Sequence, residues 1–214
     1  YDSPIQNAVS HFFNNLLYLA GEGPEESAAA LRVYGENLRA NGQIESPDTQ
    51  YIRVTTTTGV GLEFFATHAV ATLVNPVLEL AYSDGRVVWE QDGRTRVYRG
   101  GALSEELGDD GVVSRDEMFR DVTAAAAGGG RPRAGIDNAW QHVACVEALF
   151  ESCPVTTIPP EHTRVVESRE PAGVARQVVV PGIEEVLERM FRQGGSFAEA
   201  GAPWAARGRE VSLA

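Results

Sequence analysis

Residues 51–73, YIRVTTTTGVGLEFFATHAVATL, decide the fold of this chain. Two runs rich in β-forming residues, 51–58 and 62–73, are joined across Gly59, and this pattern predicts an antiparallel hairpin. A strand that is apolar on both faces is covered on both sides, so we expect helices against one face of the sheet and another surface against the second. The second run is of this kind, with Leu62, Phe64, Ala66 and Val70 on one face and Phe65, Ala69 and Ala71 on the other.

Further strands are predicted on either side of this hairpin. Asp-Gly pairs between β-forming runs are strong hairpin signals, and short turns join strands only in antiparallel order. The region between residues 27 and 101 therefore predicts one continuous antiparallel meander. Besides the hairpin it contains the runs 30–38, 77–83, 86–91 and 95–99, with Asp-Gly turns at 84–85 and 92–93.

Helical patterns flank this strand-rich region. Ser3 and Gln6 form a capping box, and Gly21 follows the last periodic residue, so one helix is predicted over residues 3–21. The patterns together indicate an α+β fold, an open, mainly antiparallel β-sheet with helices covering one face, in a single domain of residues 1–214. The other predicted elements are helices over 114–127, 136–152 and 181–193 and a strand over 175–180.

Composition excludes several classes of partner and mechanism. The 214 residues include no lysine, 18 arginines and 30 acidic residues, for a formal charge of −12. An acidic chain repels phosphate backbones and anionic lipids, so we expect no nucleic-acid partner and no membrane partner. Without lysine the chain can form no Schiff base and can supply no lysine general acid.

The cysteines and the first residue bear on the context of the chain. Cys145 and Cys153 are separated by about 12 Å of helical rise, which is too far for a disulfide. We predict free thiols, which are typical of a reducing compartment, and we expect a cytoplasmic protein. The chain does not begin with Met, and Tyr1 directly precedes a helix start, so further residues are expected before it.

A stripe of neutral polar residues on the first predicted helix is the main candidate for a functional site. It consists of Asn7, His11, Asn14 and Tyr18, and no charged residue occurs between positions 3 and 21. One interpretation is a helix packed on both sides, with its polar groups satisfied by backbone partners. The other is contact with a ligand, because Asn7 and His11 lie one turn apart and can hold a hydroxyl group while the imidazole transfers its proton.

The remaining histidines are weaker candidates. His68, at the end of a predicted strand, is either a substrate neighbour or a hydrogen-bonded core histidine. His142 and His162 have no companions at the spacing of metal ligands, so we assign no metal site.

Several motifs of this chain occur together in a known family. The run DSPIQNAVSH at 2–11 is followed by NNLLYLAG at 14–21, ESPDT at 45–49, LEFF at 62–65 with THA at 67–69, and FAE at 197–199 with APWA at 202–205. In order and in residues they resemble the C-terminal domain of the glucose-fructose oxidoreductase/inositol dehydrogenase/rhizopine catabolism (Gfo/Idh/MocA) family. The resemblance extends over nearly the whole chain.

This resemblance implies the substrate-binding half of an NAD(P)-dependent oxidoreductase that acts on a sugar, a cyclitol or a related polyol. In the family a Rossmann domain precedes this domain, with a Gly-rich phosphate turn and a Glu-Lys-Pro motif whose lysine works at the reaction centre. No glycine cluster of this chain follows a strand and opens a helix. NAD or NADP is therefore expected to bind mainly to a preceding Rossmann domain, and this chain alone is expected to be inactive.

The resemblance also implies roles for individual residues. His11 carries over as the catalytic residue, which transfers a proton or orients the substrate, and the substrate-binding residues are Asn7, Asn14, Tyr18 and His68. Family members have an aspartate where this chain has Asn7, and an amide cannot raise the basicity of a histidine as a carboxylate does.

Several questions of function remain open at this level. Asp2, at the helix entrance, is either a substitute carboxylate or a partner of the helix dipole. The second face of the sheet is expected to form a homo-oligomer interface. Two other functions are compatible with the sequence: a non-catalytic oligomerisation or ligand-binding module, and a lyase or isomerase that uses His11 without a nucleotide.

Overall fold

The chain forms two compact units, whereas the sequence predicts one domain. The computed structural model describes residues 2–23, 26–108, 114–132, 134–170 and 173–213. Unit 1 consists of Tyr1–Thr72 and Ile136–Ala214, and unit 2 of Leu73–Gly135. Unit 2 is therefore an insertion in the sequence of unit 1.

The secondary structure begins with a π-helical turn. The elements in chain order are this turn, Pro4–Ala8, then α1 Ser10–Leu19, β1 Ala30–Arg39, β2 Thr49–Thr56, β3 Gly61–Thr67, β4 Val77–Ala81, β5 Gly85–Glu90, β6 Thr95–Arg99, β7 Ala102–Leu107, α2 Ser114–Ala126, α3 Ile136–Ser152, β8 Thr156–Thr157, a 3₁₀ turn Pro160–His162, β9 Arg164–Glu170, β10 Gly173–Val179, α4 Ile183–Gln193 and β11 Val211–Ser212.

The main sheet of unit 1 is built on the predicted hairpin. Its strands lie in the order β11-β1-β2-β3 with antiparallel pairing, and the short β8 adds a parallel partner to β1. Ile52 of β2 lies opposite Phe64 of β3, and Gly59 forms the turn with a φ of +85°. The predicted α+β fold and its antiparallel hairpin are confirmed.

The prediction of one continuous meander is wrong. Strands β4 to β7 form a separate four-stranded antiparallel sheet in unit 2. After β3 the backbone pairs elsewhere: the Ala69 carbonyl accepts from the Val180 N–H at 2.9 Å, and Gln177 Nε2 donates to the carbonyls of His68 and Val70 at 2.9 Å each. Because these groups are already paired, the strand cannot continue to residue 73. Strands β7 and β9 were not predicted.

Helices α1 and α3 cover one face of the main sheet. Phe13 and Leu17 of α1 and Leu149 of α3 are fully buried in one core with Val33 and Ile52 of the sheet. A Cβ atom at Gly35 would lie 2.0 Å from Leu149 Cδ1, so α3 packs directly on the backbone of β1. This is the helix-covered face that the sequence predicts.

The second face of the main sheet is partly covered by the C-terminal part of the chain. Tyr51 and Leu38 are buried there in a second core with Met190 of α4, Phe197 and Trp204. The face is therefore not bare, and its use as a homo-oligomer interface stays a prediction.

Charged groups hold the C-terminal segment to this second face. The Arg53 guanidinium bonds to the carboxylates of Glu63 (Nε to Oε1, 3.1 Å) and Glu199, and Glu63 Oε2 accepts from the Gly195 N–H at 2.8 Å. Glu36, which is fully buried, accepts from the Tyr34 hydroxyl at 2.9 Å. Burial raises the pKa of Glu36 above its ordinary value. The buried carboxylate thus has hydrogen-bond partners, as burial of a charged group requires.

The first predicted helix is interrupted. Ser3 caps it as predicted, with its Oγ accepting from the Gln6 N–H at 3.3 Å, but Val9 leaves helical geometry with φ −125° and ψ 19°. The segment before it forms a π-type turn closed by a bond from the Val9 N–H to the Pro4 carbonyl at 2.9 Å. The prediction of one continuous helix over residues 3–21 is therefore wrong at Val9.

A buried series of hydrogen bonds made by side-chain amides links this π-helical turn to the sheet. Gln50 Oε1 accepts from the Ile5 N–H at 3.1 Å, and Gln50 Nε2 donates to Asn37 Oδ1 at 2.7 Å. Asn37 Nδ2 in turn donates to the carbonyls of Leu149 and Cys153, at the end of α3. Gln50 and Asn37 are both fully buried, so each of these bonds satisfies a group that has no access to water.

We expect Gln50→Leu to lower the free energy of unfolding of the chain by about 2–4 kcal/mol, because it leaves the Ile5 N–H and Asn37 Oδ1 buried without partners. Urea denaturation followed by circular dichroism measures this change. Gln43→Leu is the matched control, because Gln43 is exposed. Equal effects of the two substitutions would contradict the role given to this series of hydrogen bonds.

Candidate functional site

The polar stripe lies on two segments rather than on one helix. Asn7 is exposed at the end of the π-helical turn, and His11 is exposed in the first turn of α1, with its ring centroid 4.1 Å from that of Phe12. Asn14 and Tyr18, farther along α1, are half-buried. Within the part of the chain that the structure describes, Asn14 Oδ1 is buried and has no hydrogen-bond donor.

Both backbone polar groups of Ile5 are held from outside the helix. Its N–H donates to Gln50, and its carbonyl lies 3.1 Å from His142 Nε2 on α3. A carbonyl can only accept, so the imidazole of His142 carries its proton on Nε2. Phe13 packs against the same ring, with centroids 5.6 Å apart. The segment that leads into His11 is therefore anchored to both the sheet and α3.

The contacts of His142 and Gln50 with the backbone of Ile5 were not revealed by the sequence. His142 occurs among the apolar residues of a predicted helix. The sequence argues only against a role as a metal ligand and predicts no other role for it. Its position on the buried side of α3 was a usable signal. The backbone group that it would contact could not be deduced without the break at Val9.

Asn7 is fixed by three hydrogen bonds. Its N–H donates to the Ser3 carbonyl at 2.9 Å, its carbonyl accepts from Ser10 Oγ at 3.0 Å, and its Nδ2 donates to Asp2 Oδ1 at 2.8 Å. Asp2 thus faces the amide of Asn7, and its role as a substitute carboxylate or as a partner of the helix dipole stays a prediction.

His68 stands apart from the polar stripe. It follows β3, its side chain is exposed, and its N–H donates to the Asp48 carbonyl at 2.8 Å. Across the described ranges, no hydrogen bond, ion pair or ring contact joins His68 to His11 or Asn7. The interpretation of His68 as a core histidine is wrong, because the side chain is exposed, and its role at the substrate stays a prediction.

The described residues contain no group of His, Cys, Asp and Glu side chains that could hold a metal ion. No helix in the described part of the chain is both long and apolar enough to cross a lipid bilayer. Cys145 and Cys153 are free and buried, as predicted. Burial raises the pKa of the Cys145 thiol to about 12, which keeps it protonated and unreactive at neutral pH.

The fold is that of oxidoreductases of the Gfo/Idh/MocA type. One match is an oxidoreductase from Agrobacterium radiobacter in complex with NAD⁺, L-tartaric acid and magnesium, at 15% identity and a TM-score of 0.55, covering 69% of this chain and 46% of that chain. A UDP-N-acetylglucosamine 3-dehydrogenase from Acidithiobacillus ferrooxidans matches at 13% identity and a TM-score of 0.54, covering 64% of this chain and 43% of that chain. An aldose-aldose oxidoreductase from Caulobacter crescentus complexed with glycerol matches at 14% identity and a TM-score of 0.55, covering 66% of this chain and 42% of that chain.

These matches confirm the resemblance at the level of the fold. The chain spans less than half the length of each of these solved structures. No family model and no curated protein matches the sequence. The roles of His11, Asn7, Asn14, Tyr18 and His68 therefore stay predictions.

We expect the anchoring of Ile5 to depend on pH through His142. Burial lowers the pKa of His142 below its ordinary value of 6.5. At a pH between the pKa of His142 in the folded chain and its pKa of 6.5 in the unfolded chain, only the unfolded chain binds the proton. The free energy of unfolding is therefore at its full value above pH 6.5 and decreases as the pH falls below it. His142→Gln keeps a donor for the Ile5 carbonyl but removes the titration.

As the pH falls from about 7.5 to about 5.5, the free energy of unfolding of the wild type is expected to decrease relative to that of His142→Gln, measured by urea denaturation at each pH. His162→Gln is the matched control and is expected to follow the wild-type curve, because it leaves the contact with Ile5 intact. Parallel curves for wild type and His142→Gln would contradict this role.

Proposed function

We propose that this chain is the substrate-binding half of an NAD(P)-dependent oxidoreductase that acts on a sugar, a cyclitol or a related polyol. The observation that carries the proposal is the exposed His11, presented by a helix whose preceding turn is anchored through both backbone groups of Ile5. A water-accessible imidazole on an anchored segment is suited to binding a hydroxyl group and moving its proton. The NAD⁺, the polyhydroxy acid and the glycerol named for the matched structures support this class of cofactor and substrate.

The residues of this chain do not fit the phosphates of a dinucleotide. Gly59 lies in a β-hairpin turn, and Gly128 and Gly130, with φ of +89° and +109°, follow the end of α2. A dinucleotide turn follows a strand and opens a helix instead. We therefore assign NAD or NADP to a preceding Rossmann domain, which would supply the nicotinamide for hydride exchange and the lysine that this chain lacks.

His11 is the catalytic residue in this proposal. Its neutral imidazole accepts the proton of a substrate hydroxyl in the oxidation and returns it in the reduction. The other side chains proposed to bind the substrate are those of Asn7, Asn14 through its Nδ2 group, Tyr18 through its hydroxyl, and His68. With Asn14 Oδ1 buried, this residue offers a donor rather than an acceptor.

The cellular setting belongs to the same proposal. Two buried free thiols are typical of a reducing compartment, which supports a cytoplasmic protein. We also propose a homo-oligomer through the part of the second sheet face that the C-terminal segment leaves open. Half-buried Tyr34 and Phe65 lie on that face and support an association surface.

We expect His11→Ala, in the full-length protein that carries this chain, to lower kcat for polyol oxidation by about 10²–10⁴-fold, because a positioned acid–base group is lost. The thermal midpoint is expected to change little, because His11 is exposed. Steady-state NADH formation at saturating substrate measures the effect, and His162→Ala is the matched control. Unchanged turnover would remove His11 from the reaction and favour a non-catalytic binding module.

The 214-residue chain alone is expected to bind NADH too weakly to saturate at millimolar concentration, because it offers no phosphate cradle, and to turn over no polyol, because it has no lysine. Fluorescence titration with NADH measures the binding. Tight binding by this chain would contradict the assignment of the cofactor to a preceding domain. Turnover by this chain would instead favour a lyase or isomerase that uses His11 without a nucleotide.

A further inference from the structure

The hydrogen bond between Asp2 and Asn7 determines which way the Asn7 amide points. Asn7 Nδ2 lies 2.8 Å from Asp2 Oδ1, and both side chains are exposed. The side-chain amide of an asparagine has an oxygen that accepts hydrogen bonds and a nitrogen that donates them, whereas an ionised carboxylate can only accept. The nitrogen of Asn7 must therefore face Asp2, and the planar amide places Oδ1 on the opposite side.

The backbone of Asn7 is held in place by hydrogen bonds on both sides of its side chain. Its N–H is bonded to Ser3 at the helix cap, and its carbonyl is bonded to Ser10, the residue before His11. The main chain is held at both ends, and Asp2 engages one of the two N–H groups of Nδ2, so the edge of the amide that carries Oδ1 is the one left for a ligand. Asn7 is thus preset as a hydrogen-bond acceptor.

We propose that Asp2 is a positioning residue that makes Asn7 select the alcohol form of a polyol over its keto form. This inference rests on the proposed function, because it takes Asn7 as part of the substrate site. A substrate hydroxyl can donate a hydrogen bond to Asn7 Oδ1, whereas a carbonyl oxygen has no proton to donate and meets another acceptor. Without the Asp2 carboxylate the amide can rotate and donate to a carbonyl, so the preference is lost.

The orientation itself is tested without any substrate. In the 214-residue chain labelled with ¹⁵N, the side-chain amide signals of Asn7 are expected to shift over the range in which carboxylates titrate, about pH 3–5. In Asp2→Asn this shift is expected to disappear. Asp84→Asn, which makes the same change of charge at an exposed turn in unit 2, is expected to keep it. An Asn7 signal that does not follow the titration, or that follows it equally in Asp2→Asn, overturns the proposal.

Selectivity is tested in the full-length protein with two pairs of probes that differ only by a hydroxyl or a carbonyl group, glycerol with dihydroxyacetone and myo-inositol with its 2-keto derivative. Calorimetry in the presence of the nicotinamide cofactor gives each Kd. We expect the wild type and Asp84→Asn to bind the alcohol of at least one pair about tenfold more tightly, the effect of one hydrogen bond. Asp2→Asn is expected to bind both members of that pair within about twofold.

The outcomes separate this inference from the proposed function. A preference that survives in Asp2→Asn, or a wild type that prefers no alcohol or binds no probe, overturns the role of Asp2. If His11→Ala retains full turnover while the Asn7 shift and the preference depend on Asp2, the catalytic proposal fails and the inference stands.

Discussion

The network of hydrogen bonds made by the buried side-chain amides of Gln50 and Asn37 is the constraint on which the rest of unit 1 depends. These two residues are direct cross-strand partners on β2 and β1, and both point to the face that carries α1 and α3. A shift of one residue in the register of either strand would turn one of the two amides to the opposite face of the sheet. The hydrogen bonds of this network could then not form. Because unpaired amides in an apolar core are costly, the network selects one register and one placement of the helices.

The same network explains the unusual start of the helix that carries His11. In a regular helix the Ile5 N–H would also be free for Gln50, but the Ile5 carbonyl would accept from the Val9 N–H. Here the Val9 N–H bonds to Pro4, and the Ile5 carbonyl faces His142. The π-helical turn and the break at Val9 accommodate both contacts. π-helical segments occur often at functional sites, where they fix a backbone in a position that a regular helix does not reach. The site is therefore built by the core rather than by the local preference of its own residues.

Local signals in the sequence were sufficient for some parts of the structure and not for others. The hairpin across Gly59 and the span of α3 follow from turn residues and apolar periodicity, which act over a few positions. The separation of β3 from β4 depends on backbone groups that pair with residues more than 100 positions away, such as Gln177. The exposed stripe could be located from its composition, but the contacts of Asn7 and Ile5 arise from the break at Val9, which periodicity does not show.

The insertion of unit 2 has a consequence for the way this protein is made. Strands β1 to β3 leave the ribosome well before α3, which packs on their apolar face and begins only at Ile136. At ordinary rates of translation the intervening residues take roughly 3–14 s to synthesise. During that interval Val33 and Ile52 have no α3 to pack against. The nascent chain therefore passes through a stage in which a sheet with an apolar face is open to chaperones, and slow or paused synthesis between β3 and α3 would lengthen its exposure to aggregation.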